Sequence, residues 1–405
     1  MLCQFSVKNF RCFRDNITLD MQAADISEHN ERLLVDSDGE RFLPIAAIYG
    51  PNGGGKSSTL GAMYCLHQKI MMPVYLSRSG SGTYADMTYG LSNLYSHDIA
   101  PFAFSTETQE APTEFEIFFR THDAEYRYNI NISKGNVVYE NLTRLNIGSK
   151  KYQPLIGTEN QRVIPRGYFK HFNTSSRSKK MPLLSYLFMS YSNPTIDSLF
   201  RWFDKKLLFR SYGKPDGETR RFHVLDVEGK MQMMSMFREM DIGISDYRVE
   251  RLPEQPHRVI TVHEVEGKTF ELNLSDESDG TNKLFGLMPD VMDSILSGGA
   301  LVVDELDAKL HPVLLKYIIG LYANPEINKK KAQLIFTSHD LANLNRDNLR
   351  RDEVWFVDKN NQKSAGLYSM VEFNSHSENY SDDYLKGKYG ADPYLRRFID
   401  WDKAQ

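Results

Sequence analysis

The chain has few of the features that mark secreted, membrane-spanning or fibrous proteins. Its 405 residues include only three cysteines, Cys3, Cys12 and Cys65. That is too few for a disulfide framework, and none shows the paired spacing of a zinc site, so a reducing cytoplasm is expected. Charge of one sign is also lacking. Lys and Arg number 49 against 53 Asp and Glu, a net charge of -4, which excludes a globally basic surface; any nucleic-acid-binding face must be local. No apolar run reaches membrane-spanning length, so no membrane partner is expected. The opening "MLCQFSVKNFRCFRD" is interrupted by Lys8, Arg11 and Arg14, unlike the core of a signal peptide. There is no internal repeat and no heptad run long enough for a coiled-coil arm. Neither G-x-S-x-G nor H-E-x-x-H occurs, and no second acidic cluster reads as a built-in nuclease centre.

What is present is the pattern of an α/β protein. With 41% hydrophobic and 25% charged residues, the composition is that of a globular chain. Residues 2–20 alternate as strands do. "FLPIAAIYG" (42–50) is a short apolar strand that enters "GPNGGGKSS", and "STLGAMYCLHQKI" then reads as a helix. "TEFEIFFRT", "EYRYNINIS" and "NVVYENLTRL" read as an antiparallel meander. Residues 150–180 read as a polar, basic connection. "LLSYLFMSYS" and "TIDSLFRWFDKKLLF" follow as helices, and "GKMQMMSMFREMD" as a helix whose methionines form a packing face. "YRVERLPEQPHRVITVHEV" and "KTFELNL" are strands. "GGALVVDEL" and "AQLIFTSHD" are buried strands on either side of the helix "PVLLKYIIGLYA". Residues 75–100 and 213–222 read as irregular.

Two motifs carry chemistry. Gly50 to Ser57 satisfies G-x-x-x-x-G-K-[ST]. Glycines let the backbone curl so that amides from Asn52, Gly53, Gly54, Gly55, Lys56, Ser57 and Ser58 face a phosphate, and the next helix adds its positive end. Lys56 reaches the β- and γ-phosphates of ATP in this pattern, and Ser57 ligates Mg²⁺. The second motif, Ala300 to Glu305, is a strand ending in two acids. There Asp304 is placed to hold Mg²⁺, and Glu305 to orient or activate water. His339, closing the strand "LIFTSH" one helix later, is expected beside Glu305, with both strand ends facing the γ-phosphate. His311, in "KLHP", is expected to order the turn into the helix that follows.

The wide separation of Lys56 from Asp304, with a Ser-x-Gly segment before the acidic strand and a histidine after it, resembles the ABC-type ATPase head. Ser278-Asp279-Gly280-Thr281 matches that family's signature motif, though not in the LSGGQ form of transporters. Leu306-Asp307 match its D-loop, and Asn9-Phe10-Arg11 resembles the "NFR" of SMC-like heads, where the arginine lies close to the nucleotide. "ESDGTNKLF", "VVDELDAKLHP", "LIFTSHD", "DEVWFVDKN" and "YLKGKYGADPYL" together are similar to bacterial AAA-type, ABC-like (SMC/OLD-related) ATPases encoded in antiphage and abortive-infection operons. The likeness is thinnest between about 150 and 250. It implies an α/β P-loop ATPase head with an antiparallel β subdomain and a helical insertion. It also implies a homodimer closed over an ATP sandwich, in which Ser278 and Gly280 approach the partner's nucleotide, and an effector protein from the same operon, commonly nuclease- or TOPRIM-like. Glu277 and Asp279 would repel phosphate, so both are expected to turn away from it.

The expected organisation is an N-terminal half of the ATPase core over 1–150, a mostly helical insertion over 151–250 and a C-terminal half over 251–405. An SMC-like ATPase that binds DNA directly is the alternative. The run from Arg162 to Lys180, basic with Tyr168, Phe169 and Phe172 interleaved, is where nucleic acid would be gripped if it is bound, although such runs are commonly plain surface. Gln109 is a candidate for the lid glutamine of the ABC pattern.

Overall fold

The computed structural model describes residues 1–78, 99–149, 151–210, 227–250, 258–373 and 379–390. Most of the irregular stretch expected at 75–100, the loop at 213–222 and the end of the aromatic, basic tail lie outside the described residues.

Strands β1 (Leu2–Lys8) and β2 (Ile17–Asp20) come first, then a small hairpin of β3 (Leu34–Val35) and β4 (Arg41–Phe42). Next are β5 (Ile45–Tyr49), α1 (Lys56–Arg78) and the short α2 (Thr106–Glu110). A run of strands follows: β6 (Thr113–Arg120), β7 (Ala124–Ser133), β8 (Asn136–Asn146), β9 (Gln153–Glu159) and β10 (Arg162–Pro165). Then come α3 (Leu183–Ser190), α4 (Pro194–Lys205), β11 (Leu207–Arg210), α5 (Val227–Glu239), β12 (Asp246–Glu250), β13 (Arg258–Val265) and β14 (Lys268–Asn273). The last part holds α6 (Asp279–Ser297), β15 (Ala300–Val303), α7 (Pro312–Ala323), β16 (Gln333–Thr337), β17 (Val354–Lys359), β18 (Ala365–Ser369) and α8 (Tyr380–Leu385).

Alternation builds the first sheet. In β7, AEYRYNINIS, every second side chain is buried, and β6 follows the same rule. They lie in a seven-stranded antiparallel sheet of order β10-β9-β8-β7-β6-β1-β2. The reading of 150–180 as a connection is corrected here, because β9 and β10 extend this sheet at its edge. Their two-residue turn is Asn160-Gln161, with φ of 47° and 61°. Turns with both central residues left-handed are signalled by Asn-Gly or Asp-Gly, and Asn-Gln gives no such cue.

Continuous apolar runs build the second sheet, of order β11-β15-β16-β5-β17-β18. It is parallel up to β17, with β18 antiparallel at the edge. Strands β5, β15 and β16 are buried at every residue, as a parallel sheet covered on both faces requires. On one face Ala46, Ile48, Val302 and Ile335 share a core with α1 and the antiparallel sheet. On the other, Ile45, Ala47, Val303 and Phe336 pack with α6 and α7. Helix α1 is buried nearly all round because it lies between the two sheets. The helix expected to run through Phe209 stops at Lys205. Leu207–Arg210 instead pairs with β15 as an edge strand, a tertiary contact that the short apolar run Leu-Leu-Phe does not announce.

A third sheet, β12-β13-β14, covers α6: Tyr247 and Phe237 (from α5) pack on Phe285 with ring centroids 5.5 and 4.6 Å away. Met233, Met234 and Met240 are buried, so the methionine-rich face is packing. Among the described residues no helix is long and apolar enough to cross a membrane.

Candidate active site

Strands β5, β16 and β15 lie side by side and parallel in that order. The segments leaving their carboxyl ends therefore open on one crevice, the place where open α/β sheets bind ligands. After β5 comes Gly50–Ser57, after β15 Asp304–Asp307, and after β16 Ser338–Asp340.

The glycine loop follows a path that side chains would block. Gly50 sits at φ 150°, where a Cβ would overlap the Val357 carbonyl, and Gly55 sits at φ 130°. Gly54 donates its N–H to the Pro51 carbonyl at 3.0 Å, and Thr59 N–H to the Gly55 carbonyl at 2.9 Å, so the loop turns directly into α1. The first amides of α1 have no partner further up the helix, which gives the loop a partial positive charge. Asn52, Gly53 and Ser57 are exposed on it, and Ser58 is half-buried. Lys56 is buried, and its Nζ donates to the carbonyls of Gly50 at 2.8 Å and Pro51 at 3.2 Å. Burial pulls its pKa below that of an ordinary lysine, against the opposing pull of Asp304, Glu305 and Asp307. The ammonium thus shares one local field with all three acids.

One threonine organises the acidic end. Thr337 is fully buried; its Oγ1 donates to Asp304 Oδ1 at 2.6 Å and accepts from the Glu305 N–H at 2.7 Å. Glu305 has a left-handed backbone, φ 50°, and is exposed. Asp307 Oδ2 accepts the N–H of His339 at 3.0 Å, which ties the turn after β15 to the exposed histidine after β16. His311 caps α7, its Nδ1 accepting from Val313 N–H at 3.3 Å.

Ser278 is exposed and caps α6, accepting the Thr281 N–H at 3.1 Å. The neighbouring acids are both engaged within the chain. Glu277 accepts from Thr261 Oγ1 at 2.5 Å and lies 2.7 Å from His263 Nε2. Asp279 pairs with Lys309 at 2.8 Å. Arg11 lies in a left-handed turn (φ 49°) with its guanidinium 5.0 Å over the Phe10 ring. The next residue, Cys12, packs its Sγ 3.1 Å from where a Cβ at Gly55 would stand, which brings this turn against the glycine loop. Gln109, on α2, is exposed and donates to the Ala103 carbonyl at 2.9 Å.

The basic run of 162–180 is partly consumed within the chain. Arg166 pairs with Glu159, Arg177 donates to the Met181 carbonyl at 2.5 Å, and Phe172 stacks on Tyr191 at 4.1 Å. Lys170, Lys179 and Lys180 are exposed.

Sequence reasoning missed Thr337 and Lys283. A threonine ending an otherwise apolar strand and a lysine inside the apolar face of a helix were the available signals. The Ser57 hydroxyl and the Asp304 carboxylate are hard oxygen donors that fit a divalent cation. Among the described residues no group of three His, Cys, Asp or Glu side chains is placed to hold a metal ion.

A glycine-rich loop between a buried parallel strand and a buried helix, with an acidic strand end beside it, defines a P-loop ATPase fold and implies nucleotide binding. The chain belongs to the family described as "AAA domain, putative AbiEii toxin, Type IV TA system", whose model matches residues 45–345. No curated protein matches it. Among solved structures it is similar to the SMC head domain from Thermotoga maritima, with 14% identity, 91% of this chain and 98% of that one covered, and a TM-score of 0.40. It is also similar to the Smc head domain from Pyrococcus furiosus, which carries an extended coiled coil and is bound to the C-terminal domain of ScpA. There the identity is 12%, the coverage 91% and 96%, and the TM-score 0.36.

Proposed function

We propose that the protein binds ATP in this crevice, hydrolyses it with Mg²⁺, and uses nucleotide-driven pairing of two chains to license a separate, nuclease-like effector in bacterial antiphage defence. The observation that carries the reading is that Lys56, after β5, shares one field with Asp304, Glu305 and Asp307, after β15, at the carboxyl ends of two parallel strands that flank β16. The family description, which names a toxin of a toxin–antitoxin system, supports an operon setting with a partner protein.

Each residue then has a task. The amides of Asn52 to Ser58 and the Lys56 ammonium hold the phosphates. Ser57 and Asp304 would hold Mg²⁺, which neutralises charge on the transferred phosphoryl group when bound. Glu305 takes a proton from the attacking water or orients it. His339 senses the γ-phosphate, Arg11 lies near the nucleotide, and Asp307 fixes the turn that joins the acids to His339. Ser278 and Gly280, at the amino end of α6, face the γ-phosphate bound by a second chain, where a helix N-terminus and a hydroxyl favour an anion.

The pairing step has a direct test. Ser278→Arg puts a long cation at an exposed position outside the glycine loop. ATP titration should give wild-type affinity, while light scattering with ATP should find only single chains. A paired Ser278→Arg protein would remove the signature segment from the interface.

Thr337→Val tests the local geometry. It removes both the acceptor of the Glu305 N–H and the donor to the Asp304 carboxylate, at a cost of about 1–3 kcal/mol. Turnover should fall about tenfold or more, with ATP affinity nearly unchanged. Equal turnover in the two proteins would show that Thr337 does not set the acids.

A further inference from the structure

The mechanism above gives no task to Lys283, a buried cation beside the acidic turn. Lys283 lies one turn into α6, past Ser278, and is only 7% exposed. A buried ammonium must use its donors. Lys283 uses them on one turn of backbone: Nζ donates to the carbonyls of Glu305 at 2.7 Å, Leu306 at 2.9 Å and Ala308 at 2.7 Å. Its helix neighbours Leu284, Phe285, Leu287 and Met288 are buried apolar residues, so packing alone does not call for a charge at this position.

Two more contacts join the same helix end to the same segment. Asp279 pairs with Lys309 at 2.8 Å. A Cβ at Gly280 would stand 2.9 Å from the Lys309 carbonyl oxygen, so the glycine lets the helix press against that backbone. Glu305 and Lys309 both have left-handed backbones, φ 50° and 61°, a conformation that persists where surrounding structure enforces it. Lys283 grips the carbonyl of Glu305 itself. The first turns of α6 and the segment Glu305–Lys309 therefore form one mechanical unit, with Ser278 at one end and Glu305 at the other.

We propose that Lys283 is a positioning residue that couples the Ser278 end of α6 to the backbone bearing Glu305. Engagement of Ser278 by a second chain's nucleotide then sets the carboxylate of Glu305 in the first chain. This rests on the ATPase reading above, and it adds how pairing is transmitted to chemistry: along α6 of each chain.

The test compares full-length wild type with Lys283→Met, which keeps side-chain length and removes the charge and donors, and with Lys283→Arg, which keeps charge and donors. For Lys283→Met, ATP affinity should stay within about threefold of wild type, while Mg²⁺-ATP turnover falls about 100-fold, the scale of a 1 Å misplacement of a catalytic group. ATP-driven pairing should persist when the same change is made in a Glu305→Gln background. Lys283→Arg should recover most of the lost turnover. Wild-type turnover in Lys283→Met would overturn the proposal. So would a loss of affinity as large as the loss of turnover, which marks a purely structural role, or a failure of arginine to rescue. If Lys283→Met does not fold, as judged by thermal unfolding, Lys283→Gln takes its place with the same deciding results. A wild-type chain that neither binds nor hydrolyses ATP would remove the ATPase reading and this inference with it; failure of the coupling alone shows only in the variants.

Discussion

Lys56→Ala should abolish nucleotide binding. The side chain is the one cation that the glycine loop brings into the field of Asp304, Glu305 and Asp307. Its ammonium rests on the Gly50 and Pro51 carbonyls at 2.8 and 3.2 Å, so it is already at the loop and has only to turn from carbonyl to phosphate. Two effects add when it is removed. Charge-assisted hydrogen bonds to phosphate are lost, at about 1.5–3 kcal/mol each. The three carboxylates also lose the cation that faces them from the glycine loop, and a polyanionic ligand then meets a more acidic crevice. Two lost bonds alone weaken ATP binding by on the order of 100- to 10,000-fold. Calorimetric titration should register no binding, and thermal unfolding should show that the variant still folds. Tight ATP binding by Lys56→Ala would sink the loop assignment.

The second large effect is expected from Glu305→Gln. Glutamine keeps the shape and can adopt the same left-handed backbone at a similar cost, and the backbone bonds from Thr337 and Lys283 do not involve the side chain. What is lost is the negative charge that, in the mechanism proposed above, takes a proton from water or orients it. General-base catalysis is worth about 10²–10⁴-fold, so turnover should fall by that factor. Binding should tighten or stay level, since one carboxylate facing the phosphates has gone. A phosphate-release assay beside a nucleotide-retention assay separates the two: little release, with ATP kept on the protein. Wild-type turnover in this variant would take Glu305 out of the chemistry.

The elements of the crevice were legible because each is written in a short local pattern. The loop Gly50–Ser57 lies between an apolar strand and an apolar helix, and two buried runs end in Asp304-Glu305 and in His339. That β15 and β16 would pair could be expected, since a single helix, α7, connects them, and parallel neighbours need such a crossover. The antiparallel sheet was equally readable where side chains alternate, as in β6 and β7. It failed at β9 and β10, whose Asn160-Gln161 turn carries no glycine. It failed again at β11, four residues that are strand only because β15 offers an edge. The contacts that organise the acids were not readable. Thr337 reaches Asp304, and Lys283 reaches Glu305, across distances in sequence that no periodicity links. These bonds exist only once β16 and α6 are packed against the same turn.

Pairing driven by nucleotide is read most plainly from the mass of Glu305→Gln in solution. Sedimentation with ATP and Mg²⁺ should give twice the mass of a single chain, returning to one chain when nucleotide is withdrawn. A protein that stays single with ATP saturating its site would contradict the account.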